Sequence, residues 1–485
     1  MIRIFASGAI FLMALTAVHS APVITLTDCR ISAGLGYPSI VARCGTLHRP
    51  LDPADDSSGQ IALAIAIVPA LSLEPALDPF VPIAGGPGQS SIDFYAAWSA
   101  AFERVRRDRD IVLIDQRGTG DSAPMACDVD DDIMDGKYSR ELTLKAAQEC
   151  LEALPHDPRY FTTSVAVTDL EALRSALGYE TLNLYGISYG TRVAQHFARR
   201  YPESTRTLII DGVVPPQLPL GPEIATESQR AIDRVFDRCR DDVGCNAHFP
   251  DLRQDFATLR SDLDSGPVSV VLPDPVTAKL ETLEFGSDHL KAAIRLLLYN
   301  PRTVALLPLL IDSASNGNYA PLAAQYQMSV TTLVESLNIG MHNAIMCTED
   351  APFIDWAALD HDAIAASYLG PMQLDAIETL CSIWPAGVLD DNLHDPLSTD
   401  KPVLLLSGDA DPITPPRYAE LAAVNLSTAW LLTGKDQGHG LAIVGCMPRL
   451  IAQFVATMQL IEGDGDCLEE AFAMPFFINY SGPAP

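Results

Sequence analysis

The sequence is poor in positive charge: it has 32 lysine and arginine residues against 62 aspartate and glutamate residues, a formal net charge of −30. Nucleic acids and anionic membrane surfaces repel a protein with so negative a field. The composition therefore argues against a nucleic-acid partner and against binding to an anionic membrane. Hydrophobic residues make up 48% of the chain, which is enough for a sizeable core and excludes a disordered protein.

Long apolar runs are also missing beyond the N-terminus, so the sequence predicts no transmembrane helix there. The first twenty residues have the pattern of a secretory signal peptide, with Arg3 ahead of an apolar stretch over 4–18. Small residues then precede Ala21, where we predict cleavage. An uncleaved anchor is the alternative. We expect a secreted or periplasmic protein with no stable membrane association once residues 1–20 are removed.

No Cys-x-x-Cys pair lies near a second such pair or a His-x-x-x-His pattern, so the sequence predicts no metal site. Its ten cysteines are an even number, which fits disulfide formation in an oxidising compartment. Sequence does not fix the connectivity. The simplest scheme joins near neighbours: Cys29 with Cys44, Cys127 with Cys150, Cys239 with Cys245, Cys347 with Cys381, and Cys446 with Cys467.

Neither internal repeats nor low-complexity segments interrupt an alternation of strand and helix patterns. We predict strands over 61–68, 80–84, 110–115, 182–185, 207–210, 403–406 and 428–432, and helices over 92–104, 165–177, 191–200 and 447–460. This alternation predicts a mostly parallel sheet with helices on both faces. Functional loops are then expected at the carboxyl ends of the strands, where Gly85, Asp115 and Ser188 lie.

The alternation stops near Pro215, and helical periods dominate until Lys401. We interpret this segment as a mainly helical lid inserted into the sheet domain. The predicted organisation is therefore a signal peptide over 1–20, a first part of the core over 21–215, a lid or cap over 216–394, and a second part of the core over 395–485.

The pentapeptide Gly186-Ile-Ser-Tyr-Gly190 lies between a predicted strand and a predicted helix. In that context a Gly-x-Ser-x-Gly sequence forms a sharp turn that exposes the serine hydroxyl. Glycine at both outer positions lets strand and helix pack closely, and the helix N-terminus directs its N–H groups to developing negative charge. An ordinary glycine-rich turn is the alternative. We predict that Ser188 is a nucleophile.

A serine nucleophile needs a base and an acid that orients the base, and with this turn they follow in the order Ser, acid, His. His439 is the only histidine that follows the candidate acids. The acid is Asp409 or Asp411, which both follow the strand ending at 406. Asp409 follows a glycine and fits a turn-capping role. Asp411 precedes a proline that restricts its backbone and is favoured.

These motifs together resemble the α/β-hydrolase fold. Gly85-Gly-Pro-Gly88, Asp115-Gln-Arg-Gly-Thr-Gly120, Gly186-Ile-Ser-Tyr-Gly190, Gly408-Asp-Ala-Asp-Pro-Ile-Thr-Pro415 and Gly438-His-Gly440 carry the likeness. More narrowly, they are similar to the prolyl and tripeptidyl aminopeptidase family, in its secreted tripeptidyl aminopeptidase-like branch. The likeness runs in order through nearly all of the mature chain and is weakest in the lid.

The resemblance implies that Ser188 is the nucleophile, Asp411 the acid and His439 the base. Backbone N–H groups of Gly86, Gly88 and Tyr189 would then form the oxyanion hole. The family's activity implies no metal and no organic cofactor. The turn that contains Arg117 looks structural, with its guanidinium bracing loops near the site.

The implied activity is that of a serine exopeptidase acting on peptide substrates with a free N-terminus. A carboxylesterase using the same three residues is the alternative, and an inactive ligand-binding relative would need a broken triad. The segment 344–350 is similar to one in the family where an acid follows a cysteine by two positions. Glu349 is therefore expected to bind the substrate's ammonium, with Asp350 as the reserve. Solvated turn residues beside a disulfide are the alternative for both.

Overall fold

The computed structural model describes residues 24–34, 36–127, 139–274 and 277–483. The predicted signal peptide and its cleavage site before Ala21 lie outside these residues. The strands are β1 Thr27–Ile31, β2 Ile40–Asp52, β3 Asp55–Val68, β4 Ala76–Ile83, β5 Arg109–Ile114, β6 Leu182–Ile187, β7 Thr205–Asp211, β8 Val268–Pro273, β9 Leu280–Phe285, β10 Val403–Gly408, β11 Ala429–Gly434, β12 Phe477–Asn479 and β13 Gly482–Pro483.

The α-helices in the described ranges are α1 Ser91–Phe102, α2 Arg140–Ala153, α3 Thr163–Leu177, α4 Tyr189–Arg200, α5 Ile224–Asp241, α6 Val243–His248, α7 Leu252–Ser265, α8 Ser287–Leu297, α9 Pro301–Val304, α10 Leu307–Ser315, α11 Ala320–Ser336, α12 Ile339–Ile345, α13 His361–Ala366, α14 Met372–Cys381, α15 Pro416–Ala423 and α16 Met447–Thr457. A π-helical turn, Met346–Asp350, continues α12. The 3₁₀ turns are Pro158–Tyr160, Pro202–Ser204, Ala351–Phe353 and Asp464–Leu468.

One sheet dominates the described part of the chain, with nine strands in the order β1-β2-β3-β5-β4-β6-β7-β10-β11. The six strands from β5 to β11 in this order pair in parallel. β1, β2 and β3 pair antiparallel with one another, and β3 pairs antiparallel with β5. The mostly parallel sheet is therefore confirmed. The strands β1 and β2 were not predicted.

Side chains alternate between two hydrophobic layers along each central strand, as the period of two requires. In β7, Leu208 and Ile210 belong to the layer that packs against α3 and α4. Ile209, between them, belongs to the layer that packs against α1 and α16. Helices thus cover both faces, and the loops at the carboxyl ends of the parallel strands form a shared edge.

The segment between β7 and β10 is mainly helical and has a hydrophobic core of its own. It also contains an antiparallel hairpin, β8–β9, that its helical periods did not predict. The end of the chain packs on this insertion. Phe476 belongs to the insertion's core, and the N–H of Phe477 donates to the carbonyl of Ala305 at 2.9 Å.

Arg117 ties the turn after β5 to its surroundings. Its guanidinium is fully buried and forms two hydrogen bonds to the Asp169 carboxylate, at 2.7 and 2.9 Å. It also donates to the main-chain carbonyls of Leu51 and Tyr160, at 2.8 and 3.1 Å. Through these contacts Arg117 braces the neighbouring loops, as the sequence predicts.

The ten cysteines all lie in the described ranges and form five disulfides, which join the near neighbours predicted above. Disulfides persist outside the reducing cytosol, so these bonds indicate an extracytoplasmic protein. None of the helices in the described ranges is long and apolar enough to cross a membrane. Over the same ranges, no group of three or more His, Cys, Asp or Glu side chains is arranged to hold a metal ion.

We predict that the mature protein contains five disulfides and no catalytic thiol. Thiol titration of the denatured, unreduced protein should detect almost no free sulfhydryl, and mild alkylation should leave turnover unchanged. Titration after reduction supplies the control, because it should recover all ten. Two or more free thiols per unreduced chain would contradict the pairing.

Candidate active site

The turn between β6 and α4 holds Ser188 in a strained conformation, with φ 55° and ψ −128°. A Cβ at Gly186 would lie 2.3 Å from the carbonyl oxygen of Gly190, and one at Gly190 would lie 2.4 Å from that of Ile83. Only glycine fits at either position. The N–H of Ser188 donates to the carbonyl of Asp211 at 2.9 Å, which fixes the turn against β7. Ser188 is partly exposed between two buried neighbours.

His439 and Asp411 form a hydrogen-bonded pair, with 2.7 Å between Nδ1 and Oδ2. The N–H groups of Ile413 and Thr414 donate to the other oxygen of Asp411, at 2.8 and 2.9 Å. The Thr414 hydroxyl donates to Oδ2 at 2.7 Å. The carboxylate is therefore held from several directions, and the imidazole has Nε2 available for a proton.

Asp409 makes different contacts. One of its carboxylate oxygens accepts the N–H of Asp436 at 2.6 Å, and the other lies 3.0 Å from Nη2 of Arg234. Asp409 therefore braces the loop that precedes His439, whereas Asp411 contacts the imidazole itself.

The pKa values of Asp411 and His439 are both shifted, because each residue lies against a group that can carry the opposite charge. Burial opposes ionisation of Asp411, but the charge and hydrogen bond of His439 hold the pKa of that carboxyl below its usual value. Burial alone would lower the pKa of His439, yet the Asp411 carboxylate outweighs it and raises that pKa. The pair thus favours the imidazolium, which is the species a catalytic base forms when it accepts a proton.

The loop Gly85–Gln89 lies beside the nucleophile. A Cβ at Gly85 would lie 2.8 Å from Cβ of Ser188 and 3.5 Å from its Oγ. Gly86 and Gly88 have φ of 105° and 110°, which favour glycine. The N–H of Tyr189 belongs to the first turn of α4, whose amides have no carbonyl partner within the helix. Amides in these places can stabilise an oxyanion.

The insertion binds the carbonyl groups of this loop. The N–H of Asn338 donates to the carbonyl of Gly88 at 3.0 Å, and Nδ1 of His342 lies 3.2 Å from that of Pro87. Burial lowers the pKa of His342, so its neutral ring donates from Nδ1. These contacts fix the carbonyl groups of Pro87 and Gly88 against the insertion.

Glu349 and Asp350 lie in the π-helical turn and are fully buried, so they are not solvated turn residues. The N–H and hydroxyl of Thr163 donate to the Glu349 carboxylate at 2.6 and 2.7 Å. Arg192 binds both oxygens of Asp350 at 2.7 and 3.1 Å, and the N–H of Leu220 donates to it at 2.6 Å. The structure thus places both acids beside Arg192 of α4.

Arg192 and Thr163 were not singled out from the sequence. Arg192 is 1% exposed although it lies on α4, and nothing in its local pattern marks it as buried. The available indication was the pair of adjacent acids after an apolar run, because buried carboxylates require a cation or several donors. That indication does not say which of the 32 lysine and arginine residues is the partner.

A strained serine, an imidazole oriented by a buried carboxylate and a glycine-rich loop of amides can together carry out acyl transfer. Two parts of the chain match models of protein families. Residues 78–254, which include the loop Gly85–Gln89 and Ser188, match the family described as alpha/beta hydrolase fold. Residues 366–467, which include Asp411 and His439, match the family described as TAP-like protein.

The chain is similar to a tripeptidyl aminopeptidase of Streptomyces lividans, with 25% identity over 92% of this chain and 87% of that protein. It is also similar to the serine protease Hip1 of Mycobacterium tuberculosis, with 30% identity over 42% of each. Among solved structures, the proline iminopeptidase of Mycobacterium smegmatis aligns with a TM-score of 0.39 and 13% identity, over 85% of this chain and 97% of that one.

Removing a triad member should abolish turnover without unfolding the protein. We expect Ser188→Ala and His439→Ala to be inactive, because each removes a group that the reaction uses. Both variants should stay folded, because neither residue supports the core. Asp411→Asn should lose about 10³- to 10⁴-fold in kcat through a misoriented imidazole. Asp409→Asn is the matched control and should lose little, because an amide oxygen can still accept the Asp436 N–H. Thermal melts check the fold; an inactive Asp409→Asn beside an active Asp411→Asn would contradict the assignment.

The raised pKa of His439 predicts the acidic limb of the pH profile. The base works when neutral, so activity is full above this pKa and is lost as the pH falls through it. We expect kcat/KM for an uncharged ester to fall with a midpoint above the ordinary histidine value of about 6.5. A midpoint clearly below that value would contradict the role of Asp411.

Proposed function

The chain is an α/β-hydrolase-fold serine hydrolase of the TAP-like family, and from that premise we propose that it is a secreted or periplasmic aminopeptidase. It hydrolyses peptide bonds near free N-termini. The observation that carries the proposal is the similarity to tripeptidyl aminopeptidases, which spans 92% of this chain and so includes the insertion.

In the proposed reaction Ser188 attacks the scissile carbonyl while His439 takes its proton at Nε2. The N–H groups of Gly86, Gly88 and Tyr189 stabilise the oxyanion, and each such donor contributes about 100- to 1000-fold in rate. His439 then protonates the leaving amine, which departs and leaves an acyl-enzyme. A water activated by the same imidazole hydrolyses the ester and restores Ser188.

Recognition of a free N-terminus needs negative charge. The buried cluster of Glu349, Asp350 and Arg192 can supply it. Glu349 and Asp350 face a single guanidinium, that of Arg192, so the cluster has one carboxylate in excess. Burial raises the pKa of Glu349 to about 7, although Arg192 and Thr163 oppose this shift. At neutral pH the excess charge is therefore partly cancelled by a proton. A substrate ammonium can replace that proton.

The two acids are unequal candidates for this role. Asp350 accepts hydrogen bonds from Nη1 and Nη2 of Arg192 and from the Leu220 amide, whereas Glu349 lies 3.6 Å from Nη1. Thr163 also links Glu349 to the nucleophile turn, since its hydroxyl contacts the Tyr189 hydroxyl at 2.7 Å. We therefore propose Glu349 as the anchor, with Asp350 as the reserve. Because Glu349 is fully buried, substrate binding must displace the side chains that cover it.

A substrate panel tests the activity as a whole. Chromogenic aminoacyl and tripeptidyl amides should be cleaved when their N-terminus is free and much more slowly when it is acetylated. Simple p-nitrophenyl esters serve as the comparison. Efficient ester turnover without any turnover of free peptides would instead identify a carboxylesterase.

We predict that Glu349→Gln lowers kcat/KM for free peptides by about 30-fold or more, because the substrate's cation loses its partner. A small ester that lacks the amine should be hydrolysed at nearly the wild-type rate. In the wild type, the KM for free peptides should also rise as the pH falls through about 7, where Glu349 takes a proton.

The ester separates recognition from folding in this experiment. Equal losses on both substrates would mean that Glu349 supports the structure around Thr163. No loss on either substrate would place the amine anchor elsewhere in the insertion.

A further inference from the structure

Asp211, the last residue of β7, is fully buried and contacts both halves of the catalytic apparatus. Its main-chain carbonyl accepts the N–H of Ser188 at 2.9 Å. Its carboxylate accepts the N–H groups of Leu441 and Ala442, each at 2.9 Å. These residues immediately follow the His439-Gly440 dipeptide, so one aspartate joins the nucleophile turn to the loop that carries the base.

Gly212 extends the same connection to the imidazole. A Cβ at this position would lie 2.9 Å from Cε1 of His439 and 3.2 Å from the Thr414 hydroxyl. The N–H of Gly212 donates to the carbonyl of Leu406, at 3.0 Å, within the strand that leads to Asp411. The backbone at 211–212 therefore touches the loops of the nucleophile, the acid and the base.

We propose that Asp211 is a positioning residue for the reaction, which fixes the His439 loop against Ser188 and places a second buried negative charge near the imidazole. The proposal depends on the triad assigned under the proposed function, but not on peptides being the substrate. Its side chain accepts hydrogen bonds and takes no proton from the substrate.

Electrostatics support this role. Burial raises the pKa of Asp211 to about 6, and the amides of Leu441 and Ala442 and the Tyr185 hydroxyl oppose the rise. The ionised form therefore prevails at neutral pH. The titratable groups that act on it are Tyr185 in β6, whose hydroxyl donates at 2.8 Å, and His439. In turn its charge raises the pKa of His439, after the larger effect of Asp411.

Asparagine cannot reproduce these contacts. Leu441, Ala442 and Tyr185 all donate to the carboxylate, so an amide NH₂ in its place would face a donor. Asp211→Asn should therefore loosen the loop and also remove the charge. A small displacement of a catalytic group costs about 100-fold in rate.

The test uses a fluorophosphonate, which phosphonylates an activated serine whatever the natural substrate is. For Asp211→Asn we expect the rate of Ser188 phosphonylation at its pH plateau to fall by about 100-fold. The acidic limb of the pH profile of phosphonylation should move to lower pH, because the pKa of His439 falls when a neighbouring negative charge is lost. A purely structural role would not move the limb.

Asp115→Asn is the matched control. Asp115 is also buried after a parallel strand, burial also raises its pKa to about 6, and it accepts hydrogen bonds from Ser90, Ile92 and Asp121. It does not contact the His439 loop, so its variant should leave the acidic limb in place even if the protein is destabilised.

Tyr185→Phe keeps the test decisive if Asp211→Asn does not fold. It keeps the aromatic packing and removes one donor, so the pKa of Asp211 rises. Protonation turns one carboxylate oxygen into a donor and loosens the His439 loop, so activity is then lost where Asp211, rather than His439, takes its proton. The acidic limb should therefore move upward, with the plateau preserved. A wild-type limb in Tyr185→Phe, or in a folded Asp211→Asn, would overturn the proposal. A wild type that the probe does not label would instead overturn the triad and the proposed function.

Discussion

The position of Ser188 depends on the close approach of three backbone segments at the turn between β6 and α4. Gly186 touches Gly190, and Gly190 touches the end of β4 at Ile83. This contact leaves no room for a side chain, and it holds Ser188 in a conformation that costs about 1–3 kcal/mol. The packing of β4, β6 and α4 is what maintains that strain. The loop Gly85–Gln89 leaves the end of β4, so the same contact also sets the distance of this loop from Ser188.

Buried aspartates at the strand ends organise the loops around this turn. Asp115 binds the start of α1, Asp211 binds the loop after His439, and Asp411 binds its own loop and the imidazole. The pKa values of Asp115 and Asp211 are raised by burial, because neutral amides and hydroxyls replace hydration only in part. The pKa of the equally buried Asp411 is lowered, because it contacts a group that becomes a cation. Direct contact with the imidazole therefore distinguishes Asp411 from Asp115 and Asp211.

The parts predicted correctly from sequence were those with strong local patterns. Continuous apolar runs predicted the parallel strands. The Gly-x-Ser-x-Gly pattern predicted the strand–turn–helix unit around Ser188. The β1–β2 edge was missed because its buried positions, such as Ala42 and Leu47, are separated by polar residues. The contact between Arg192 and Asp350 was missed for another reason. It joins residues 158 positions apart, and no periodicity carries that information.

The insertion contacts two elements of the candidate active site and is more than a separate cover. It binds the carbonyls of Pro87 and Gly88 through His342 and Asn338, and its π-helical turn binds α4 through Asp350 and Arg192. The first pair of contacts fixes the carbonyl groups of the loop Gly85–Gln89. The second holds the helix whose first turn supplies the Tyr189 amide. In the proposed mechanism both sides of the oxyanion hole are attached to the insertion, so a change in the insertion's position would alter catalysis on every substrate, including those too small to touch it.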